Sequence, residues 1–216
     1  MARKKASGKN YQSSRNGKSQ YSRSRNKTVE TREIQERFLI VCEGTKTEPN
    51  YFKSFPVPKD VIEIDVRGVG KNTISLVKEA IEIKKEDNDY DQIWCVFDRD
   101  SFPVKNFKEA INYAQNNDIK VAYSNQAFEL WYLLHFNYRD TAMSRTQYKK
   151  LLTKNMNQKY EKNSDEMYEI LASRQPQAIK NAERLLEQYN PPDPANNNPS
   201  TTVHLLVKQL NRFVRK

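Results

Sequence analysis

Cysteine, histidine and long apolar runs are scarce in this chain of 216 residues, and each scarcity removes a class of protein. Its two cysteines, Cys42 and Cys95, both lie inside apolar runs. Two such positions supply neither a disulfide framework nor zinc-ligand spacing. They read as small buried hydrophobes, and a reducing cytosol is their natural compartment. The two histidines, His135 and His204, have no partner at ligand or catalytic spacing, and no Ser/His/Asp or Cys/His arrangement is visible. No apolar run approaches the roughly 18 residues that a membrane span needs. Aliphatic side chains are almost absent before Val29, so the N-terminus lacks the apolar core of a signal peptide. The turn Gly68-Val69-Gly70-Lys71-Asn72-Thr73 is not a phosphate-binding P-loop. That motif needs Gly-x-x-x-x-Gly-Lys-Ser/Thr, whereas here Asp65 takes the first glycine position and Asn72 follows the lysine. There are no internal repeats.

What is abundant is charge, and it is unevenly placed. Lys, Arg, Asp and Glu make up 30% of the chain, with a net charge of +10. Residues 1–30 hold nine basic side chains (Arg3, Lys4, Lys5, Lys9, Arg15, Lys18, Arg23, Arg25 and Lys27) against Glu30, a net of +8, so the remainder is close to neutral. A segment of Ser, Asn, Gln, Lys and Arg cannot bury enough apolar surface to offset the entropy of ordering. Residues 1–35 are therefore expected to form a disordered basic arm. It serves either as a solubilising tail or as a non-specific, salt-sensitive hold on nucleic acid phosphates.

From residue 36 the pattern alternates strand and helix. Strands are expected at 37–43, Val61–Arg67, Gln92–Phe97 and Ile119–Tyr123. Helices are expected at Glu48–Phe55, over Ile74, Val77, Ala80 and Ile81, at Pro103–Asn117 and at Gln126–Phe136. This order implies an α/β core over 36–136 built on a doubly wound parallel sheet. After Phe136 strand signals stop. Helices at 144–154, 164–173, 175–189 and 200–214, with a Pro/Asn-rich break from Asn190 to Pro199, imply a helical C-terminal extension over 137–216.

Two acidic motifs stand directly after apolar strands: Val41-Cys42-Glu43-Gly44 and Phe97-Asp98-Arg99-Asp100. Open α/β sheets bind ligands outside the carboxyl ends of their strands. Residues i and i+2 of an extended segment point the same way, about 6.6 Å apart, so Asp98 and Asp100 can share a site. Three carboxylates meeting there would suit a hard divalent cation, Mg²⁺ or Mn²⁺.

Glu-Gly after the first strand and Asp-x-Asp after the third resemble the Toprim fold, the metal-binding catalytic domain of topoisomerases, primases and several nucleases. The longer segment Ile40-Val41-Cys42-Glu43-Gly44-Thr45-Lys46-Thr47-Glu48-Pro49-Asn50-Tyr51-Phe52 is similar to the signature of RloB-like proteins, also called the AbiLii family. Ser124-Asn125, Phe128-Glu129-Leu130-Trp131, Asn198-Pro199-Ser200-Thr201 and Val203-His204 fit the same resemblance. One departure is Thr45, which stands where a second acid often follows Glu-Gly. The resemblance implies a Toprim-like fold and a prokaryotic anti-phage defence protein, commonly encoded beside an ATPase partner or inside a restriction locus.

The expected chemistry is phosphodiester hydrolysis in RNA or DNA. Asp98 and Asp100 would hold the metal, and Glu43 would complete its coordination or act as general base. Lys46 would neutralise a phosphate oxygen, or is a solvated loop lysine. Glu129, alone in an apolar helix, is either a further ligand or base, or a buried polar contact to Arg99 or another basic group. Asn125 is a candidate for orienting substrate. Lys71 sits in a turn that either holds a substrate phosphate or is simply tight. The rival reading is a non-catalytic nucleic-acid-binding or regulatory subunit on the same scaffold.

Overall fold

The computed structural model describes residues 36–100 and 103–214. The basic residues of the arm, Arg3 to Lys27, lie outside the described residues. Five strands form one sheet: β1 (Glu36–Cys42), β2 (Ile62–Gly68), β3 (Gln92–Asp98), β4 (Lys120–Asn125) and β5 (Ser200–Thr201), in the order β2-β1-β3-β4-β5. The first four pair in parallel, and β5 runs antiparallel to β4.

The helices are α1 (Thr47–Lys53), α2 (Thr73–Glu86), α3 (Val104–Gln115), α4 (Glu129–Leu134), α5 (Arg145–Met156), α6 (Met167–Ala172), α7 (Gln175–Glu187) and α8 (Val203–Leu210). The sequence-based strands at 37–43, 61–67, 92–97 and 119–123 each match an observed strand to within one or two residues.

β1 and β3 are continuous apolar runs because both of their faces are covered, as central strands of a parallel sheet require. Leu39, Val41, Ile93, Cys95, Phe97 and Tyr123 face a layer made by α2 and α3, where Leu76, Val77, Ala80, Phe107, Ala110 and Ala114 are buried. Phe38, Ile40, Cys42, Trp94, Val96 and Ala122 face the opposite layer, which includes Tyr51 and Phe52 of α1 and all the apolar side chains of α4. β2 lies at an edge and alternates. Ile62 and Val66 enter the core, while Asp65 on its other face bonds Arg67 and the Tyr90 hydroxyl.

One expectation needs correction. The sheet is not wholly parallel, because Ser200 and Thr201 add an antiparallel edge where a helix from residue 200 was expected. Hydroxyl groups make that edge: Thr201 Oγ1 donates to the Tyr123 carbonyl at 2.9 Å and the Tyr123 N–H donates to Thr202 Oγ1 at 2.9 Å, delaying α8 to Val203. A two-residue strand has no period for a sequence pattern to reveal. The C-terminal helices also share a core with the sheet. Tyr148, Leu152, Leu185, Leu206, Val207 and Leu210 are fully buried in the cluster that contains Phe38 and Trp131.

The strand order reverses between β1 and β3: the chain leaves β1 for β2 on one side and returns to β3 on the other. Doubly wound sheets open a crevice at such a point. Glu43 and Asp98 occupy the carboxyl ends of these two strands.

Candidate functional site

Glu43 extends β1 by one ladder bond, its N–H donating to the Val96 carbonyl at 2.9 Å. Its side chain then crosses the crevice, where Oε2 accepts the Asp98 N–H at 3.1 Å. The turn that follows is closely packed. A Cβ on Gly68 would stand 2.6 Å from the Gly44 carbonyl oxygen and 2.7 Å from the Thr45 Cα, both backbone atoms. A Cβ on Gly44 would run into the carboxylate of Glu48, which sits in the first turn of α1 and is buried.

Asp98 ends β3 with its side chain 13% exposed, and Asp100 follows at 35%. Arg145, the first residue of α5, joins them: its Nη2 lies 3.6 Å from Asp98 Oδ2 and 3.1 Å from Asp100 Oδ2. The two carboxylates thus share a side, but not by the extended geometry assumed from the sequence. Asp100 has φ of 39°, in the left-handed region, and its N–H is directed to the Gln126 carbonyl at 3.4 Å. Non-glycine residues adopt this conformation at a cost and are concentrated at functional sites.

Glu129 is buried, and its Oε1 accepts the Tyr160 hydroxyl at 3.3 Å. Arg99, the basic partner named from the sequence, is engaged elsewhere. Its guanidinium donates to the carbonyls of Ala195 and Asp100 and lies over the Phe107 ring. Residues after α5 close the remaining side of the site. Thr47 Oγ1 donates to Asn163 Oδ1 at 3.2 Å, and Asn50 Nδ2 donates to the Asn163 carbonyl at 3.0 Å. The result is a cavity of about 360 Å³ lined by the Gly44–Glu48 turn, Asp98, Phe128, Glu129, Lys162 and Asn163.

The RloB-like protein family model matches residues 38–210, four-fifths of the chain and every element of this cavity. This chain belongs to the RloB-like protein family. No curated protein and no solved structure matches it.

In this RloB-like chain the acids crowd one another. Burial, then repulsion from Glu48, Glu129 and Glu43, pushes the Asp98 carboxyl well above its usual range, and Arg145 only partly offsets this. Burial pushes Glu43 up to about 7. The Asp98 N–H opposes that rise, Glu48 and Asp100 reinforce it, and Arg145 opposes it again. Glu48 is raised by burial and by Glu129, against Lys162 and Arg145. Among the described residues, five carboxylates thus face three cations, Arg145, Lys162 and Lys46, of which Arg145 and Lys162 oppose the rise at Glu48. A hard oxygen donor set with surplus negative charge fits a divalent cation by its chemistry.

Among the described residues, no three His, Cys, Asp or Glu side chains stand gathered as ligands. The acids have protein partners instead: Glu43 is held by the Asp98 N–H, Glu129 by Tyr160, and Asp98 and Asp100 by Arg145. Binding an ion would exchange those partners for it.

Of the other residues singled out from the sequence, exposed Lys46 lines the cavity. Lys71 does not. It pairs with Glu79 of α2, and its turn is the Asn72-capped start of that helix. Asn125 is buried, and its Nδ2 donates to the Asn197 carbonyl at 2.8 Å, so it anchors the segment before β5. His135 and His204 are core residues, held by burial at a pKa of about 4.

Sequence reasoning missed Glu48, Arg145, Tyr160 and Lys162. Glu48 had a signal: an acid on the same helix as the buried Pro49, Tyr51 and Phe52. Arg145 and Lys162 had none, since both reach the site from distant segments.

Proposed function

We propose that this chain is a divalent-metal-dependent phosphodiester hydrolase acting on RNA or DNA. The observation that carries the reading is the surplus of carboxylates at the switch point, where burial and three acidic neighbours raise Asp98 beside an open cavity. Asp98, Asp100 and Glu43 are the residues that would hold Mg²⁺ or Mn²⁺. When bound, that ion polarises a phosphate and stabilises developing negative charge.

The chain's own groups supply the rest. Glu43 would either complete the coordination or, standing beside it, act as general base for the attacking water. Lys46 and Lys162 stand at the cavity wall, where ammonium groups neutralise non-bridging phosphate oxygens. Glu48 and Glu129 deepen the negative field, and Tyr160 fixes the orientation of Glu129. Membership of the RloB-like family, with the resemblance in its Glu-Gly and Asp-x-Asp motifs, supports a Toprim-like nuclease. It also supports a setting in prokaryotic anti-phage defence, in the cytoplasm, under the control of an ATPase partner.

Purified protein with Mg²⁺ or Mn²⁺ is expected to cut at least one of tRNA, single-stranded RNA and plasmid DNA. Asp98→Ala should lower the rate by about three orders of magnitude or more while keeping the wild-type circular dichroism. Cutting that survives this substitution would refute the assignment.

One observation favours the rival, non-catalytic reading: the acids already have protein partners, Arg145 above all. Nucleic acid binding without cutting, with the ATPase present, would support it.

A further inference from the structure

We propose that Arg145 is a resident counter-cation of the acidic site, occupying the place between Asp98 and Asp100 that a divalent ion takes and competing with that ion for it. The inference rests on the metal-dependent reading above and goes beyond it by assigning a role to a residue outside both acidic motifs.

Three features set Arg145 apart from a surface arginine. One nitrogen, Nη2, faces both carboxylates at once, at 3.1 and 3.6 Å. The residue is fixed at the start of α5 by a complete capping box, in which Ser144 Oγ accepts the Gln147 N–H while the Gln147 side chain accepts the Ser144 N–H at 2.7 Å. Its Nε is buried without a hydrogen-bond partner, so the guanidinium sits where the acids draw it and not where its own donors are best satisfied.

This pairing also accounts for a site rich in acids that gathers no three of them among the described residues. The cation that the acids share is part of the chain. With the side chain 42% exposed, there is room for it to leave. A guanidinium released beside a metal-bound phosphate is a fork-shaped donor suited to two phosphate oxygens. Arg145 would then pass from the acids to the substrate as the site is loaded.

The full chain, stripped with chelator, can be titrated with Mn²⁺ by calorimetry, alongside Arg145→Met and Arg145→Lys. Arg145→Met keeps the apolar stem and removes the charge. It is expected to bind Mn²⁺ about tenfold more tightly than the wild type, the scale of losing one charged donor shared by two carboxylates. Its melting temperature should fall without metal and rise more steeply with Mn²⁺. Arg145→Lys should fall between the two and carries the measurement if the Met variant does not fold.

Equal or weaker Mn²⁺ binding by the charge-removed variant would overturn the competition while leaving the metal site standing. Absence of Mn²⁺ binding in the wild type and in both variants would overturn the metal reading together with this one.

Discussion

Glu43 shows how one carboxylate is tuned by position. It leaves a buried strand, accepts a backbone N–H and faces Glu48 and Asp100, and its carboxyl rises from an ordinary 4.5 to about 7. Between those values the native metal-free protein holds a proton that the unfolded chain has released. The Glu43 contribution therefore lowers stability as pH rises from about 4.5 to 7, by up to about 3 kcal/mol before solvent screening reduces it. His135 and His204 work in the opposite direction. Their pKa is depressed to about 4, so the unfolded state takes up protons first and stability falls as pH drops below about 6.5. Denaturant melts of chelator-treated protein across pH 4.5–7.5 are expected to show a steeper rise with pH in Glu43→Gln than in wild type. Parallel curves for the two proteins would mean that Glu43 titrates normally.

At the scale of elements, the end of β2 and the turn after β1 are fitted together through glycine. Gly68→Ala would push a methyl group against backbone atoms of the Gly44-Thr45 turn, which cannot swing aside as a flexible side chain can. A loss of about 2 kcal/mol or more is expected, against about 1 kcal/mol for Gly70→Ala, where the cost comes from a φ of 62°. Urea midpoints would measure both.

The same elements show what could be read in advance. β1 and β3 were legible because strands covered on both faces carry unbroken apolar runs, and β2 because its two faces alternate. Glu43 and Asp98 were legible because carboxylates at the ends of such strands are costly to bury. β5 was illegible because two hydroxyl residues bonded to β4 look like any helix entry. The contact of the Asn125 amide with the Asn197 carbonyl was illegible because its partner lies 72 residues away. A basic partner such as Arg99 was named for Glu129 because a buried acid calls for a cation, whereas its partner is the neutral hydroxyl of Tyr160.

At the scale of the whole molecule, the helices after Phe136 complete the core. Residues 36–136 alone would expose the layer that Tyr148, Leu152, Leu206 and Leu210 cover. That fragment is expected to lack a cooperative thermal transition and to bind a hydrophobic dye. A sharp melt would show instead that the sheet is self-sufficient. The arm is tested separately. Deleting residues 1–30 removes a net charge of +8. It should weaken nucleic acid binding, with the salt slope on duplex DNA becoming shallower by about 0.9 for each phosphate that the arm no longer neutralises. An unchanged slope would assign the arm a solubilising role.

The cavity draws its walls from distant stretches of the folded segment: the Gly44–Glu48 turn on one side, Lys162 and Asn163 on the other. A polypeptide still being synthesised lacks that second wall until Asn163 has been joined and has left the ribosome. The acids are therefore enclosed only after β1 to β4 have all emerged.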